Sequence, residues 1–231
     1  IKDPIKAWDS HNETFRKKCQ WLNEQNFEYL TYKSKNGTDF RVDLIKKGRW
    51  CGGGEYTKQG VYFNPNIPTE EIFTTPMAGK AEGLLVATKP LSYQGQLIDE
   101  FWIRFEQGKA TSWHAKKGKD LLTQMLTTDE GAAMLGEVSL VPKESPINQC
   151  GILFYETLFD ENACCHVAVG RGFNDCIEGF LDMEDPNEEC KALGVNDSMI
   201  HVDFMIGSED LSIVGHKDGK EIPIFKNGTW A

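Results

Sequence analysis

The chain has 231 residues, of which 40% are hydrophobic and 26% charged, a composition typical of a globular protein with a sizeable core. Nucleic acids and anionic membrane surfaces attract basic proteins, so the formal net charge of −10 argues against both as partners and favours a cationic substrate. No apolar run approaches the roughly 18 residues of a membrane span, and the N-terminal IKDPIKAW lacks a signal-peptide pattern. Seven cysteines without a C-x-x-C pair indicate reduced thiols, so we expect a cytoplasmic protein.

The N-terminal part of the chain predicts one amphipathic helix and one β-hairpin. Asp3 and Pro4 are typical of a helix N-cap followed by proline in the first turn. Five apolar residues then recur at helical spacing: Ile5, Trp8, Phe15, Cys19 and Leu22. Further on, FEYLTY and TDFRVDLIKK flank Asn36-Gly37, a dipeptide that favours a hairpin turn.

Most segments after Gly83 predict strands. One helix is predicted at KDLLTQMLTT, and the predicted strands lie in GLLVAT, IDEFWIRFEQGKATSWHA, EVSLVP, GILFY, CHVAVG and MIHVDFMIG. Three dipeptides predict hairpin turns: Gln107-Gly108, Asp218-Gly219 and Asn227-Gly228. The sequence has no repeats and no linker, so we expect one domain over residues 1–231. The predicted fold class is strand-rich α/β or α+β, with a mixed, mainly antiparallel sheet and flanking helices.

The segment SMIHVDFMIG carries two polar side chains inside an apolar run. In a strand, alternate side chains point to opposite faces, so His201 and Asp203 project from the same side, about 7 Å apart. The pair predicts either a metal site or a buried ion pair.

Two further stretches place glutamates beside apolar residues. In IPTEEIFTTP, Glu70 and Glu71 taken alone favour the first turn of a capped helix. In LGEVSLVP, a strand directs Glu137 into the sheet, where an unpaired carboxylate would cost several kcal/mol. Glu137 therefore requires a partner, which a metal ion or an arginine would supply.

The segment LFDENACCH adds another acid and another imidazole. His166, taken alone, is equally consistent with a metal ligand and with a core histidine bonded to a backbone carbonyl. With Glu161 it completes a set in which carboxylates outnumber imidazoles: Glu71, Glu137, Glu161, His166, His201 and Asp203. A structural zinc site would favour cysteine and histidine, whereas this set suits two close divalent ions bridged by a carboxylate and a water.

Long motifs in the same order resemble a known family. The motifs are NIPTEEIFTTP, TKPLSYQG, DEGAAMLGEVSLVP, SPINQCGILFYETLFDENACCHVAVG and HVDFMIGSEDLSIVGHKDGKEIPIFKNGTWA. They resemble the thermophilic-aminopeptidase family of dimetal metallopeptidases, of the aminopeptidase T, aminopeptidase S and aminopeptidase II type. The resemblance extends over essentially all 231 residues.

The resemblance implies a homodimeric metallo-aminopeptidase that removes N-terminal residues from peptides through a metal-bridged hydroxide. It implies two divalent ions per chain, which could be zinc, cobalt, manganese or magnesium. The metal ligands carried over by motif are Glu71, Glu137, His166, His201 and Asp203. Glu161 is implied as a ligand or as a base, and Glu161 or Glu71 as the catalytic proton carrier.

The chain departs from the family in two respects. Family members carry a tyrosine seven residues after the histidine of the DEN motif, where this chain has Phe173. A phenyl ring cannot donate a hydrogen bond to a developing oxyanion, so slower catalysis is expected. Family chains are also longer, with a preceding α/β domain, and this chain begins where that domain would end.

Two alternatives to the peptidase remain open from the residues. The scaffold could have become a non-catalytic metal-binding or assembly domain, because of Phe173 and the absent domain. A cysteine hydrolase would use Cys164 or Cys165 with His166. The Cys165-His166 pair is geometrically poor, because adjacent strand residues point to opposite faces. Small buried strand residues are the simpler interpretation of the two cysteines.

Overall fold

The chain begins with the predicted helix, as seen in a computed structural model that describes residues 3–57 and 59–231. In helix α1 (Pro4–Gln25), the Asp3 side chain accepts a hydrogen bond from the Lys6 amide at 3.2 Å. The helix packs on the core through Phe15 and Leu22, which are buried. The prediction for Ile5 is wrong, because the first helical turn is solvent-exposed and Ile5 is 73% exposed.

The described residues form four further helices and fifteen strands. The helices are α2 (Lys119–Leu126), α3 (Pro146–Gln149), α4 (Thr157–Asp160) and α5 (Pro186–Leu193). The strands are β1 (Tyr29–Lys33), β2 (Asp39–Leu44), β3 (Glu55–Tyr56), β4 (Tyr62–Phe63), β5 (Ile72–Thr74), β6 (Pro76–Val86), β7 (Leu91–Tyr93), β8 (Gln96–Glu106), β9 (Lys109–Lys117), β10 (Leu135–Leu140), β11 (His166–Gly170), β12 (His201–Met205), β13 (Ser212–Lys217), β14 (Lys220–Lys226) and β15 (Thr229–Trp230). Short 3-10 turns span Gly131–Ala133, Glu161–Ala163, Asn174–Cys176 and Phe180–Asp182. None of the described helices has the length and apolarity that crossing a membrane requires.

The larger sheet is antiparallel and joins the two ends of the chain. Its strand order is β15-β14-β13-β1-β2-β6-β8-β7, and β9 also pairs with β8. The contact between β1 and β13, with Leu30 opposite Gly215, ties the N-terminal hairpin to the C-terminal hairpins. All four predicted hairpin turns are confirmed, including the one at Asn36-Gly37.

The smaller sheet has the order β12-β11-β10-β5 and is also antiparallel. Strands β10 and β11 are buried along their whole length, as expected for apolar runs covered on both faces. One apolar core connects the two sheets, where the rings of Phe101 and Phe204 lie 5.6 Å apart. The predicted fold class, strand-rich and mainly antiparallel with flanking helices, is confirmed.

Two local predictions are wrong. The segment GILFY is irregular, because Gly151 and Tyr155 adopt positive φ angles of 64° and 61° and its apolar side chains face solvent. Apolar segments are usually buried, but most side chains of this one are exposed. The alternative of a helix at Glu70-Glu71 is also wrong, since the chain there is extended and leads into β5.

Gly95 and Gly108 allow a direct test of the turn geometry. Both follow a glutamine in a hairpin turn, with φ angles of 74° and 80° that favour glycine. A Cβ atom at Gly108 would overlap the backbone of Gly79, whereas at Gly95 nothing lies within 4 Å. We expect Gly95→Ala to lower the free energy of unfolding by about 1 kcal/mol, and Gly108→Ala by at least about 2 kcal/mol more. Urea denaturation measures both variants, and equal losses would contradict the predicted overlap.

Candidate metal centre

The smaller sheet brings the six predicted site residues together. Strand β10 carries Glu137, β11 begins at His166, and β12 carries both His201 and Asp203. Glu71 immediately precedes β5. The sixth residue, Glu161, begins a 3-10 turn shortly before β11. Three groups of ligand atoms each lie within 4.8 Å of one another: Glu71, Glu137 and His166; Glu137, His201 and Asp203; and Glu161, His166 and Asp203.

Glu137 lies between the two histidines. Its Oε1 is 3.9 Å from Nε2 of His166, and its Oε2 is 3.2 Å from Nε2 of His201. The register of β10 shifts just before it, at Gly136, where a Cβ atom would overlap the Arg171 carbonyl oxygen. Only glycine fits this close approach, so Gly136 fixes the position from which Glu137 reaches both imidazoles.

Strand alternation places the remaining pair as predicted. His201 and Asp203 project from one face of β12, and Nε2 of the histidine lies 3.5 Å from Oδ2 of the aspartate. Opposite them across the sheet, Ala168 pairs with Asp203 and Gly170 with His201. These two small residues leave the ligand face of the neighbouring strand uncrowded.

Both histidines are oriented by backbone carbonyl groups. Nδ1 of His166 donates to the Cys164 oxygen at 3.1 Å, and Nδ1 of His201 donates to the Arg171 oxygen at 2.7 Å. A carbonyl can only accept, so Nδ1 carries a proton in both rings, and Nε2 is the nitrogen that faces the carboxylates, as a proton donor or, once deprotonated, as a metal ligand. This arrangement is typical of histidines that ligate a metal through Nε2. The Ser139 hydroxyl similarly donates to Glu71 Oε2 at 3.0 Å.

Two atoms of the cluster are left without hydrogen bonds to the described residues. They are Nε2 of His166 and Oδ1 of Asp203, and both are buried. Nε2 of His166 lies 3.0 Å from Glu71 Oε2 but lacks hydrogen-bond geometry. A ring nitrogen and a carboxylate oxygen at this distance require a proton or a cation between them. The donor set therefore fits a divalent metal, since buried polar atoms are otherwise satisfied.

Burial and mutual repulsion perturb the titration of the cluster. Desolvation, together with the charge of Asp203, raises the pKa of Glu137 to about 8 and that of Glu161 to about 9. Desolvation lowers the pKa of His201, but hydrogen bonds to Asp203 and Glu137 outweigh it and raise the pKa to about 11. Glu137 and Glu161 thus hold protons at neutral pH unless a cation replaces them.

The cluster opens into a cavity of about 330 Å³. Five of the six residues line it, and His166 lies behind them. The other walls come from irregular segments that sequence reasoning did not assign to the site, notably Gly52, Gly53 and Asp175. The glycine run of WCGGGEY is the only signal in the sequence for Gly52 and Gly53, and Asp175 has none.

Phe173 lies within this site. Its ring centroid is 4.7 Å from that of His201 and 5.3 Å from that of Phe73, and it lines the same cavity. The position at which the resemblance implies a tyrosine therefore lies in the wall of the candidate metal centre.

The cysteine-hydrolase alternative is wrong. Cys164 and Cys165 are 4% and 1% exposed, and burial raises the pKa of both thiols. The Cys165 thiol donates to the Val141 carbonyl oxygen at 3.3 Å. The neighbouring His166 faces the carboxylates, so no pair of nucleophile and base forms.

Known proteins resemble this chain over its whole length. The family described as thermophilic metalloprotease (M29) matches residues 1–230. Aminopeptidase 2 of Geobacillus stearothermophilus is 46% identical over 230 residues, and Aminopeptidase T of Thermus aquaticus is 44% identical over 230 residues. Each match covers 99% of this chain and 55% of the relative.

A solved structure agrees with these matches. The structure of wild-type AmpT from Thermus thermophilus superposes with a TM-score of 0.92 at 42% identity, covering 99% of this chain and 56% of that one. The chain thus spans about half the length of the relatives it matches. Sequence, fold and the chemistry of the metal centre agree, and the chain belongs to the thermophilic metalloprotease (M29) family.

Proposed function

We propose that residues 1–231 form the catalytic domain of a metal-dependent aminopeptidase, which hydrolyses N-terminal residues from peptides. The observation that carries this proposal is the convergence of six candidate ligands, five of them buried and two with orphaned atoms, beside one cavity. Membership of a metalloprotease family implies the use of a divalent metal. The relatives that match are aminopeptidases by name.

We propose two cation sites that share Glu137. Its two oxygens face different histidines, as expected of a bridging carboxylate. Glu71 and His166 would complete one site, and His201 and Asp203 the other. Carboxylate and imidazole donors suit zinc, cobalt, manganese or magnesium. When bound, such ions polarise a carbonyl group and acidify water, which is the chemistry that peptide hydrolysis needs.

Glu161 is our candidate for the proton carrier. The Glu71 carboxylate accepts from Ser139 and lies against His166, so it is anchored as a ligand. Glu161 lines the cavity, and its side chain makes no hydrogen bond to the described residues. Burial first, and then the charge of Asp203, raise its pKa to about 9. Once a bound cation has displaced its proton, a carboxylate in this position can take a proton from a nucleophile and give it to a leaving amine.

The cavity is suited to the N-terminus of a peptide. Besides the ligand carboxylates, Glu55 and Asp175 line its wall. This negative lining attracts a free ammonium group, as does the net charge of −10. A volume of about 330 Å³ is at the small end for ligand pockets, which fits one or two residues of a substrate.

The oligomeric state and the location of the chain are proposed from the family resemblance. We propose a homodimer in the full-length context and a cytoplasmic location. All seven cysteines are free thiols, which fits a reducing compartment. Size-exclusion chromatography with light scattering measures the oligomeric state directly.

A non-catalytic metal-binding or assembly domain is the second candidate function. Phe173 favours it, because the ring contacts His201 but has no group that donates a hydrogen bond. The two functions share the same metal centre and differ only in turnover, so metal content and peptide hydrolysis must be measured separately.

Removing the charge of Glu137 tests the metal centre. In Glu137→Gln we expect metal affinity to fall at least about a hundredfold. Mutation of a residue that only hydrogen-bonds to a metal ligand typically costs about 10- to 100-fold, and loss of a ligand should cost more. Hydrolysis of aminoacyl-nitroanilides should disappear. The thermal stability of the metal-free protein should rise, because the substitution removes repulsion within the cluster. Mass spectrometry for metal content, with melting curves with and without added metal, measures these effects.

Glu70→Gln is the matched control for Glu137→Gln. Glu70 is adjacent to Glu71, but its side chain lies 3.9 Å from His11 and does not line the cavity. We expect metal content and hydrolysis to remain as in the unmodified chain. Equal metal loss in both variants, or full metal binding in Glu137→Gln, would rule out the assigned centre.

Glu161→Gln separates proton transfer from metal binding. If Glu161 carries the proton, kcat should fall by about 10² to 10⁴ while KM changes little. The metal content should stay at the level of the unmodified chain. Loss of metal together with activity would instead identify Glu161 as a ligand.

Phe173→Tyr tests the second candidate function. Adding a hydroxyl beside His201 should raise kcat by about tenfold or more, since a single oxyanion donor contributes about 10² to 10³ in known hydrolases. Steady-state kinetics on the metal-loaded protein measures the gain. A variant that binds metal and still has no activity would favour the binding-domain function.

A further inference from the structure

Cys51 and Cys176 meet beside the metal centre, although they are far apart in the sequence. The Cys176 thiol donates to Sγ of Cys51 at 4.0 Å. We propose that these two cysteines form a redox-active pair, and that their oxidation to a disulfide alters the wall of the metal-centre cavity. Formation of the disulfide depends only on the two thiols, whereas its effect on turnover rests on the proposed function.

Each cysteine belongs to a segment that lines the cavity. Cys51 exchanges two backbone hydrogen bonds of 2.9 Å with Phe73 and is followed by the cavity-lining Gly52. Cys176 ends the 3-10 turn that contains the cavity-lining Asp175. The Arg49 amide donates to the Cys176 carbonyl oxygen at 2.8 Å, so the two segments already touch. A disulfide would link the two segments covalently at this contact.

The two thiols differ in access, as an attacking and a resolving cysteine should. Cys51 is partly exposed and lines a second cavity of about 820 Å³, which shares Gly52 and Asp175 with the first. Cys176 is fully buried. The hydrogen bond from Cys176, together with the Arg49 charge, also lowers the pKa of the Cys51 thiol against the effect of burial. A small oxidant can therefore reach Cys51 and not Cys176.

The oxidant class is a low-molecular-weight disulfide, for which oxidised glutathione is the probe. The Cys51 thiolate attacks one sulfur of glutathione disulfide, forms a mixed disulfide and releases one glutathione thiolate. The Cys176 thiolate then attacks Sγ of Cys51 and releases the second glutathione. The two cysteines lose two electrons, glutathione disulfide gains them, and the two thiol protons end on the two glutathione molecules.

Bond formation requires movement of the cavity wall. A disulfide has an S–S length of about 2.05 Å, so the sulfurs must approach by about 2 Å from their separation of 4.0 Å. Rotation of the buried Cys176 is restricted, and the segment from Phe173 to Cys176 would move towards Gly52. Because a displacement of about 1 Å can cost a hundredfold in rate, we expect oxidation to lower kcat/KM by at least about tenfold.

Thiol mapping tests the pair without reference to activity. The metal-loaded chain is incubated with oxidised glutathione, alkylated, digested and analysed by mass spectrometry. We expect loss of two free thiols and one cross-linked peptide joining Cys51 to Cys176, reversed by dithiothreitol. Cys51→Ser should abolish the link, and Cys176→Ser should stop at a glutathione adduct on Cys51.

Cys19 provides the matched control. It lines the same second cavity as Cys51, but burial raises the pKa of its thiol to about 12. Cys19→Ser should therefore leave the link intact. Three results would each overturn the pair: a Cys19–Cys51 link, a lasting glutathione adduct on Cys51 in the unmodified chain, or unchanged Cys51 and Cys176 thiols while the exposed Cys150 reacts.

Hydrolysis assays on the same samples test the effect on turnover. We expect the oxidised chain to lose activity, dithiothreitol to restore it, and the Cys51→Ser variant to be insensitive to the oxidant. A disulfide that leaves kcat/KM unchanged would overturn the effect on the cavity wall. A reduced chain without any activity would instead count against the proposed function, and the thiol map would still decide the pair.

Discussion

The structure depends on the burial of four carboxylates around two imidazoles at one edge of the smaller sheet. Two unit charges about 4 Å apart interact by about 4 kcal/mol at an effective dielectric constant of about 20. Several such repulsions act at once here, because the ligand atoms of each group lie within 4.8 Å of one another. Protons offset part of the repulsion, as the raised pKa values of Glu137 and Glu161 indicate. Divalent cations would offset it more fully, so metal affinity and the instability of the metal-free site have the same origin.

The surrounding sheet holds this unfavourable arrangement in place. Strands β10 and β11 are buried along their whole length, so the apolar core on either side opposes any separation of the ligands. Carbonyl groups of Cys164 and Arg171 fix the histidine rings, and Gly136 permits the close approach that directs Glu137 inwards. The ligands are therefore preorganised, which reduces the reorganisation needed when a cation binds.

The sequence predicts what depends on neighbouring residues and misses what depends on distant ones. Strand alternation places His201 and Asp203 on one face, and turn dipeptides such as Asn36-Gly37 fix the hairpins. Local patterns single out the six site residues one by one, but no local rule says that Glu71 meets His166. GILFY shows the limit of apolar composition, since its side chains face solvent rather than a core. The meeting of Cys51 and Cys176 depends wholly on tertiary contact, so nothing in the sequence indicates it.

Phe173 has different consequences for two properties of the site, metal binding and turnover. Its ring packs on His201 and Phe73 and so restricts the movement of the imidazole. A phenol would pack in the same way and would also offer a donor to developing negative charge. The phenyl ring retains the first effect and lacks the second. In the proposed centre, metal affinity would depend on the candidate ligands and their carbonyl partners, whereas turnover would also require groups that recognise the transition state, so metal binding would not by itself determine the rate.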